Sequence, residues 1–309
     1  MVEKNNTFKV SRDKGLVSRM YFTWFLLGLL YAFFGLILNA FGVQISFIVV
    51  IVLGMGIFQY YMSDKMILWS TKAKVISREQ DPQLFEIVER LAKRANIPSP
   101  KIAVMESSVP NAFATGRNPK NSLVAVTTGI RERLSSSELE AVLAHELGHV
   151  INGDMKVLAI ANFFVTFTSF LMQMFFWNML FGGMYGGNRR QNGGYIIVIY
   201  FITMLVYFIG QLLVLALTRY REYGADRTGS FLSGKPDELA SALEKISGTI
   251  SKIPTQDLRT VKTASAFMII PALSGDDVAK LLSTHPPVQD RVRKLRKMRQ
   301  EMNNIFSDS

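Results

Sequence analysis

Four stretches of the chain contain no Asp, Glu, Lys or Arg and alternate with polar segments. They cover about residues 21–38, 43–62, 157–183 and 195–218. A helix needs about 20 apolar residues to cross the hydrocarbon core of a bilayer. The first stretch, YFTWFLLGLLYAFFGLIL, is slightly short, and the other three reach full length. This pattern predicts four transmembrane helices arranged as two hairpins.

The polar segments between and after these stretches carry the patterns of a small α/β domain. Residues 81–98 place apolar side chains at helical spacing, with Asp81 as N-cap and Pro82 at the first helical position. Three short runs bounded by Pro, Asn and Gly suit strands, namely KIAVME, NAFATG and SLVAVTTG. Two further helices are predicted after the fourth stretch, in PDELASALEKIS and HPPVQDRVRKLRKMRQEM.

Composition agrees with a chain divided between lipid and water. Of its 309 residues, 49% are hydrophobic, and its mean hydropathy is +0.20. This length exceeds one average domain. We expect a leader and first hairpin over residues 1–62, a polar α/β part over 63–156, a second hairpin over 157–220 and a C-terminal part over 221–309. The expected fold class is a mostly α-helical integral membrane protein with a small strand region.

The net charge of +11 arises from basic residues that cluster at the ends of the apolar stretches. The loop between the third and fourth stretches carries only Arg189 and Arg190, whereas the leader and the segment after the second stretch are richer in Lys and Arg. Because cytoplasmic loops carry this excess, both termini and residues 63–156 are predicted to face the cytosol. We expect a membrane protein that contacts lipid and binds no nucleic acid.

Residues 144–150, AHELGHV, contain the first candidate chemistry. His145 and His149 are four residues apart, so on a helix both rings lie on one face and can reach one metal ion. Glu146 then projects close enough to handle a water beside that ion. Ser135 and Glu138 have the spacing of a capping box, which predicts the required helix. The alternative is an ordinary amphipathic helix in which the histidines are incidental. The chain has only 3 histidines, and the occurrence of two of them in this motif disfavours that alternative.

A catalytic zinc site needs three protein ligands and an open position. His285 is one candidate for the third ligand, and Glu222 is favoured because the second hairpin returns the chain to the side of the motif histidines at RYREYGADRTG. Asp226, four residues later, suits a carboxylate that orients a ligand histidine. The alternative is a solvated helix end on which these carboxylates balance neighbouring arginines. The chain has no cysteine, so no thiolate binds the metal.

Four motifs, PNAFATG, HELGH, REYGADRTG and THPPVQDRV, occur in this order around the apolar stretches. In this respect the chain resembles the HtpX family of membrane-bound zinc metalloproteases, of the HExxH gluzincin type, over nearly its whole length. The resemblance implies one zinc ion per chain, bound by His145, His149 and Glu222. It further implies that Glu146 activates the attacking water and that Asp226 supports a ligand.

The resemblance also assigns residues around the substrate. Asn111 of the NAFATG strand, with Ala112 and Phe113 after it, is expected to line the substrate cleft. Related proteases place the His and Arg of an HPP-containing segment near the developing oxyanion, which implies that role for His285 and Arg291.

These features predict an integral-membrane zinc endopeptidase. The expected substrates are polypeptides, namely misfolded or damaged membrane proteins, as in membrane quality control under stress. A protease that trims prenylated C-terminal tails is one alternative, although such relatives have more membrane spans. A zinc-binding scaffold without turnover is another, and the intact Glu146 disfavours it.

Overall fold

A computed structural model describes residues 13–44, 46, 49–58, 69, 71–116, 118–181, 189–250 and 285–307. In chain order its elements are α1 (Lys14–Ala40), α2 (Val49–Phe58), β1 (Lys74–Val75), α3 (Pro82–Arg94), β2 (Lys101–Met105), β3 (Ala112–Gly116), a 3-10 turn (Pro119–Asn121), β4 (Ser122–Thr127), α4 (Thr128–Arg133), α5 (Ser136–Asn152), α6 (Asp154–Phe181), α7 (Arg189–Ser233), α8 (Pro236–Ile250) and α9 (Val288–Ser307).

The chain folds as two compact units. The first, called the α/β unit, comprises the described residues up to Leu16 and those within 63–156 and 218–309. The second, called the helical unit, comprises those within 17–62 and 157–217.

Three described helices are long and apolar enough to cross a membrane: α1, α6 and the part of α7 that begins at Gly194. They contain the first and fourth predicted spans and residues 157–181 of the third. Many of their large apolar side chains stay exposed, among them Phe22, Phe33 and Leu205. Apolar surface on this scale fits a lipid environment rather than water. The chain is therefore an integral membrane protein.

The second predicted span is only partly described. Helix α2 contains ten of its residues, fewer than a bilayer crossing requires. Residues 45, 47, 48 and 59–62 lie outside the described part, as do the first 12 residues and the Gly-rich segment 182–188. The second span, and with it the count of four spans and the arrangement as two hairpins, stays a prediction.

The α/β unit is built on a four-stranded sheet with the strand order β1-β2-β4-β3. Strands β2 and β4 are parallel, whereas β3 pairs antiparallel with β4 and lies at the edge of the sheet. Helix α5 contacts β3 and β4 on one side and helices α3 and α8 on others. Buried aliphatic residues such as Leu91, Val124 and Leu143 join these elements in one hydrophobic core. The predicted strand region beside the HELGH helix is confirmed.

Local sequence signals set several element boundaries as expected. The side chain of Asp81 accepts a hydrogen bond from Leu84 N at 3.2 Å, and Pro82 opens α3. Ser135 and Glu138 form the predicted capping box at the start of α5. The predicted run SLVAVTTG is shorter as a strand, because the Thr127 side chain accepts from Ile130 N and starts α4.

Helix α5 does not continue into the third apolar stretch. It ends at Asn152, and Gly153 adopts a left-handed conformation with φ 71°. A residue without a Cβ takes this conformation at little cost. Helix α6 then begins at Asp154. The histidine-bearing helix and the apolar helix are therefore separate elements joined by one glycine.

Glu138 also connects α5 to α8. Lys245 Nζ lies 2.7 Å and 2.8 Å from its two carboxylate oxygens, and Ser241 Oγ donates a hydrogen bond of 2.7 Å. Burial opposes ionisation of this carboxyl. The hydrogen bonds from Lys245 and from the backbone N–H of Ser135 outweigh burial and lower the pKa of Glu138 to about 2.

We predict that Glu138→Gln destabilises the α/β unit at pH 7 by about 2 kcal/mol, because a charged hydrogen-bond network is lost. The folded-state pKa lies below the unfolded value, so this stabilisation is present above about pH 4.5 and is lost as pH falls toward about 2. Thermal unfolding of the detergent-purified protein, followed by circular dichroism, should show the gap between wild type and variant closing across that range. The exposed Glu132→Gln on α4 is the matched control, and a gap that is independent of pH would contradict the assignment.

Candidate metal centre

Helix α5 presents His145 and His149 one turn apart on the same face. Their ring centroids lie 4.8 Å apart, with the ring planes nearly perpendicular at 81°. Helix α7 brings Glu222 to both, with Oε2 at 3.7 Å from His145 Nε2 and Oε1 at 3.5 Å from His149 Nε2. One ligand atom from each residue lies within 4.8 Å of the others. Bonds of about 2.0–2.2 Å to a central zinc ion require this kind of clustering.

The orientation of the histidines fits a metal. His145 Nδ1 lies 3.0 Å from Asp226 Oδ1, and His149 Nδ1 lies 2.7 Å from Asp154 Oδ2. Ligand histidines usually donate their second ring N–H to a carboxylate, which turns the other nitrogen toward the metal. Both Nε2 atoms are accordingly directed at Glu222. The residues present can therefore hold a divalent cation.

His285 and Arg291 also lie in this cluster. Arg291 donates to both oxygens of Asp226 at 2.9 Å and 2.6 Å, and its Nη1 is 3.2 Å from Glu222 Oε2. His285 Nδ1 is 3.1 Å from the same Glu222 oxygen. Arg291 is only 1% exposed. Its guanidinium thus compensates the charge of two carboxylates, and a further role near the oxyanion stays a prediction for both residues.

Glu146 is fixed by strand β3. The backbone N–H of Ala114 donates to Glu146 Oε2 at 2.9 Å, and the glutamate side chain is almost fully buried. Burial raises the pKa of Glu146, while the neighbouring histidines act in the opposite direction. A carboxylate with a raised pKa accepts a proton more readily near neutral pH, which suits a general base.

His149 has the more exposed ring of the two motif histidines, with 13% of its side chain accessible. Burial alone would lower the pKa of His149. The hydrogen bond to Asp154 and the charge of Glu222 outweigh burial, so the pKa is raised. The same carboxylates that favour a proton on this imidazole favour a metal cation beside it.

The three residues expected at the substrate cleft lie at the start of the edge strand. The Asn111 backbone N–H donates to Thr127 Oγ1 at 2.9 Å, and this bond holds the residue that precedes β3 against the end of β4. The Ala112 side chain belongs to the core shared with α5. Phe113 packs instead in a separate cluster with Ala103 and Leu123. Any contact of Phe113 with a polypeptide near α5 would therefore be made by its main chain.

Two glycines allow α5 and α7 to approach closely at the ligands. A Cβ on Gly229 would lie 2.7 Å from both N and Cα of His145, and one on Gly148 would lie 3.0 Å from Ala225 O. Backbone atoms cannot yield as a flexible side chain can. Sequence reasoning did not identify Gly148, Gly229, Asp154 or Arg221. The two glycines and Arg221 contact residues that are far away along the chain, and Asp154 contacts His149 from beyond the end of α5.

We predict that Gly229→Ala forces α7 away from α5 and lowers metal affinity by about tenfold or more, the range seen when ligand support is disturbed. Overpacking should also cost about 1–3 kcal/mol of stability. Metal titration of the purified protein measures the first effect, and thermal unfolding measures the second. Gly248→Ala on α8 is the control, because its added Cβ meets nothing within 4 Å. Unchanged metal binding by the Gly229 variant would disprove the spacing role.

Comparison with known proteins shows the family of this chain. Residues 78–299 match the model of peptidase family M48. The "Protease HtpX homolog" of Moorella thermoacetica is 49% identical over 295 residues, which cover 95% of this chain and 98% of the relative. "Protease HtpX homolog 2" of Methanosarcina acetivorans is 47% identical, over 96% of this chain and 99% of that protein. The crystal structure of S. mikatae Ste24p shares the fold, with a TM-score of 0.53 at 19% identity over 90% of this chain and 67% of that one. The chain belongs to peptidase family M48, as a membrane metalloprotease of the HtpX type.

Proposed function

We propose that His145, His149 and Glu222 hold one zinc ion per chain and that this centre hydrolyses peptide bonds. The observation that carries the proposal is the convergence of three ligand atoms beside Glu146, from the buried His145 and Glu222 and the partly buried His149. A zinc ion held by these three residues would supply Lewis acidity toward the attacking water and the peptide carbonyl.

The side chains of this chain then have separate roles. Glu146 accepts a proton from the attacking water and delivers it to the amine nitrogen as the carbon–nitrogen bond breaks. The Ala114 N–H keeps the Glu146 carboxylate oriented while it waits for substrate. Asp226 supports His145, and Arg291 balances the charge of Asp226 and Glu222. His285 and Arg291, both beside Glu222, are the candidate donors to the carbonyl oxygen as negative charge develops on it.

We predict that Glu146→Gln lowers cleavage by about 100-fold or more while one zinc per chain is retained, because the amide fills the same space but accepts no proton. Glu222→Ala should lose the zinc as well as the activity. Elemental analysis and cleavage of an unfolded reporter polypeptide by the detergent-purified protein measure both. Removal of metal by a chelator should abolish cleavage, and added zinc should restore it. Glu244→Gln, on the exposed surface of α8, serves as control, and wild-type turnover by the Glu146 variant would refute the mechanism.

The substrates we propose are flexible segments of misfolded or damaged membrane proteins. Among the described residues, strand β3 has a strand neighbour on one side only, so an extended polypeptide can be recognised along its other edge through main-chain contacts. Main-chain contacts recognise extended conformation with little regard to sequence. A folded domain uses its own backbone groups internally and is a poor substrate. This selectivity corresponds to a quality-control protease.

A pair of substrates tests this selectivity. A compact membrane protein and a destabilised variant of it should carry the same exposed loop sequence. We predict faster cleavage of the destabilised form by at least about tenfold, in proportion to the population that opens. Equal rates would contradict selection by unfolding. Cleavage at one fixed C-terminal site regardless of folding would favour the alternative, a dedicated processing enzyme for lipid-modified tails.

We further propose that the active site and both termini face the cytosol of a bacterial cell, with the protein in the cytoplasmic membrane. The support is the distribution of Lys and Arg, which are denser in the leader and after the second apolar stretch than between the third and fourth. His149 precedes the third apolar stretch by only a few residues, and Glu222 follows the fourth at a similar distance. Both therefore belong to the same side of the membrane.

Cysteine labelling tests this orientation, since the chain has no cysteine of its own. In intact cells an impermeant thiol reagent should modify Asn192→Cys but neither Lys120→Cys nor Ile305→Cys. After permeabilisation all three should react, which controls for buried positions. Labelling of Lys120→Cys in intact cells would show that the orientation is the opposite of the one proposed.

A further inference from the structure

Asp154 is the first residue of the apolar helix α6 and contacts the ligand candidate His149. Gly153, with its left-handed backbone, ends α5 and turns the chain so that Asp154 is the first residue of α6. The N–H of Gly153 donates to Val150 O at 3.2 Å, and that of Lys156 donates to Gly153 O at 3.2 Å. These bonds fix the turn. The carboxylate of Asp154 is thereby held beside the last turn of α5, where His149 lies.

Each oxygen of Asp154 has its own partner. Oδ2 is 2.7 Å from His149 Nδ1, and Oδ1 is 3.2 Å from Nε of Arg221 on α7. Asp154 is 2% exposed and Arg221 is 4% exposed. A carboxylate removed from water in this way is costly unless it is paired and hydrogen-bonded. The pairing therefore ties the start of α6 to both a ligand histidine and α7.

The same chemistry occurs on the other motif histidine. Asp226 lies between His145 Nδ1 and the guanidinium of Arg291. The two histidines are thus served by two separate carboxylate–arginine pairs, contributed by different elements. The His145 side chain is only 1% exposed, whereas the His149 side chain is 13% exposed. The orientation of His149 consequently depends more on its carboxylate.

We infer that Asp154 is a positioning residue for His149, held in place by Arg221. It keeps the proton on Nδ1 and fixes the plane of the ring, so that the lone pair of Nε2 is available to the metal. This inference rests on the proposed zinc centre, to which it adds a second supporting carboxylate. The competing explanation is purely structural, because an acidic residue in the first turn of a helix stabilises that helix.

Zinc affinity of the full-length protein in detergent separates the two explanations. The apo form is titrated with zinc against a chromophoric chelator, and the thermal unfolding temperature is measured with and without zinc. We expect Asp154→Ala to weaken zinc binding by about 10–100-fold and to reduce the zinc-induced rise in unfolding temperature. Asp154→Asn retains an acceptor oxygen and should lose less. Arg221→Gln should weaken binding in the same direction, because the carboxylate loses its counter-charge.

Glu140→Gln supplies a matched control, since Glu140 is a nearly buried carboxylate on α5 that pairs with Lys235 and Arg90 away from the metal ligands. It should lower the unfolding temperature of the apo protein while zinc affinity stays at the wild-type value. The same behaviour in Asp154→Ala and Asp154→Asn, lower stability with unchanged zinc affinity, would overturn the inference. If the wild-type protein itself binds no zinc at the site, the proposed function fails instead, and the two failures are distinct.

Discussion

Buried negative charge is the constraint on which the α/β unit depends. Glu146, Asp154, Glu222 and Asp226 are each less than 5% exposed, and an ionised group removed from water costs several kcal/mol unless it is compensated. Compensation comes from Arg221, Arg291, the ring nitrogens of the histidines and one backbone N–H of β3. In these pairs the carboxylate and its partner come from different helices or strands. The start of α6, strand β3 and helices α5, α7 and α9 must therefore assemble together before the carboxylates are stable.

Short side chains impose a second geometric requirement. Aspartate and glutamate reach only a few ångströms, so helices that share a metal must approach more closely than bulky side chains allow. Gly148 and Gly229 remove the Cβ atoms that would block this approach, and each is opposed by backbone rather than by a flexible side chain. Charge compensation and close packing therefore depend on one another. Separating the helices would break the ion pairs, and removing the ion pairs would leave charges buried without partners.

The sequence predicted the elements whose signals are local. Absence of charge marked the long apolar helices, and the Ser135–Glu138 capping box located the start of α5. The break at Gly153 was missed because hydrophobic periodicity does not record the sign of φ. Likewise, nothing in the spacing of residues indicates that Asp154 turns back onto His149. The side of the sheet taken by Phe113 became clear only from its packing, although the strand itself was predicted.

Contacts between residues that are far apart along the chain are the other part of the site that sequence reasoning could not predict. They also determine how late in synthesis the site can be completed. Arg291 meets Asp226 across 65 residues and His145 across 146 residues. A ribosome adds about 5–20 residues per second, so about 7–30 s separate synthesis of the first ligand from that of the arginine that completes the cluster. Until Arg291 has been synthesised, Asp226 and Glu222 lack its guanidinium, and the cluster beside α5 is incomplete. Because Arg291 comes so late along the chain, the cluster that it joins cannot be completed until residue 291 has been made, long after α5 and its histidines have been synthesised.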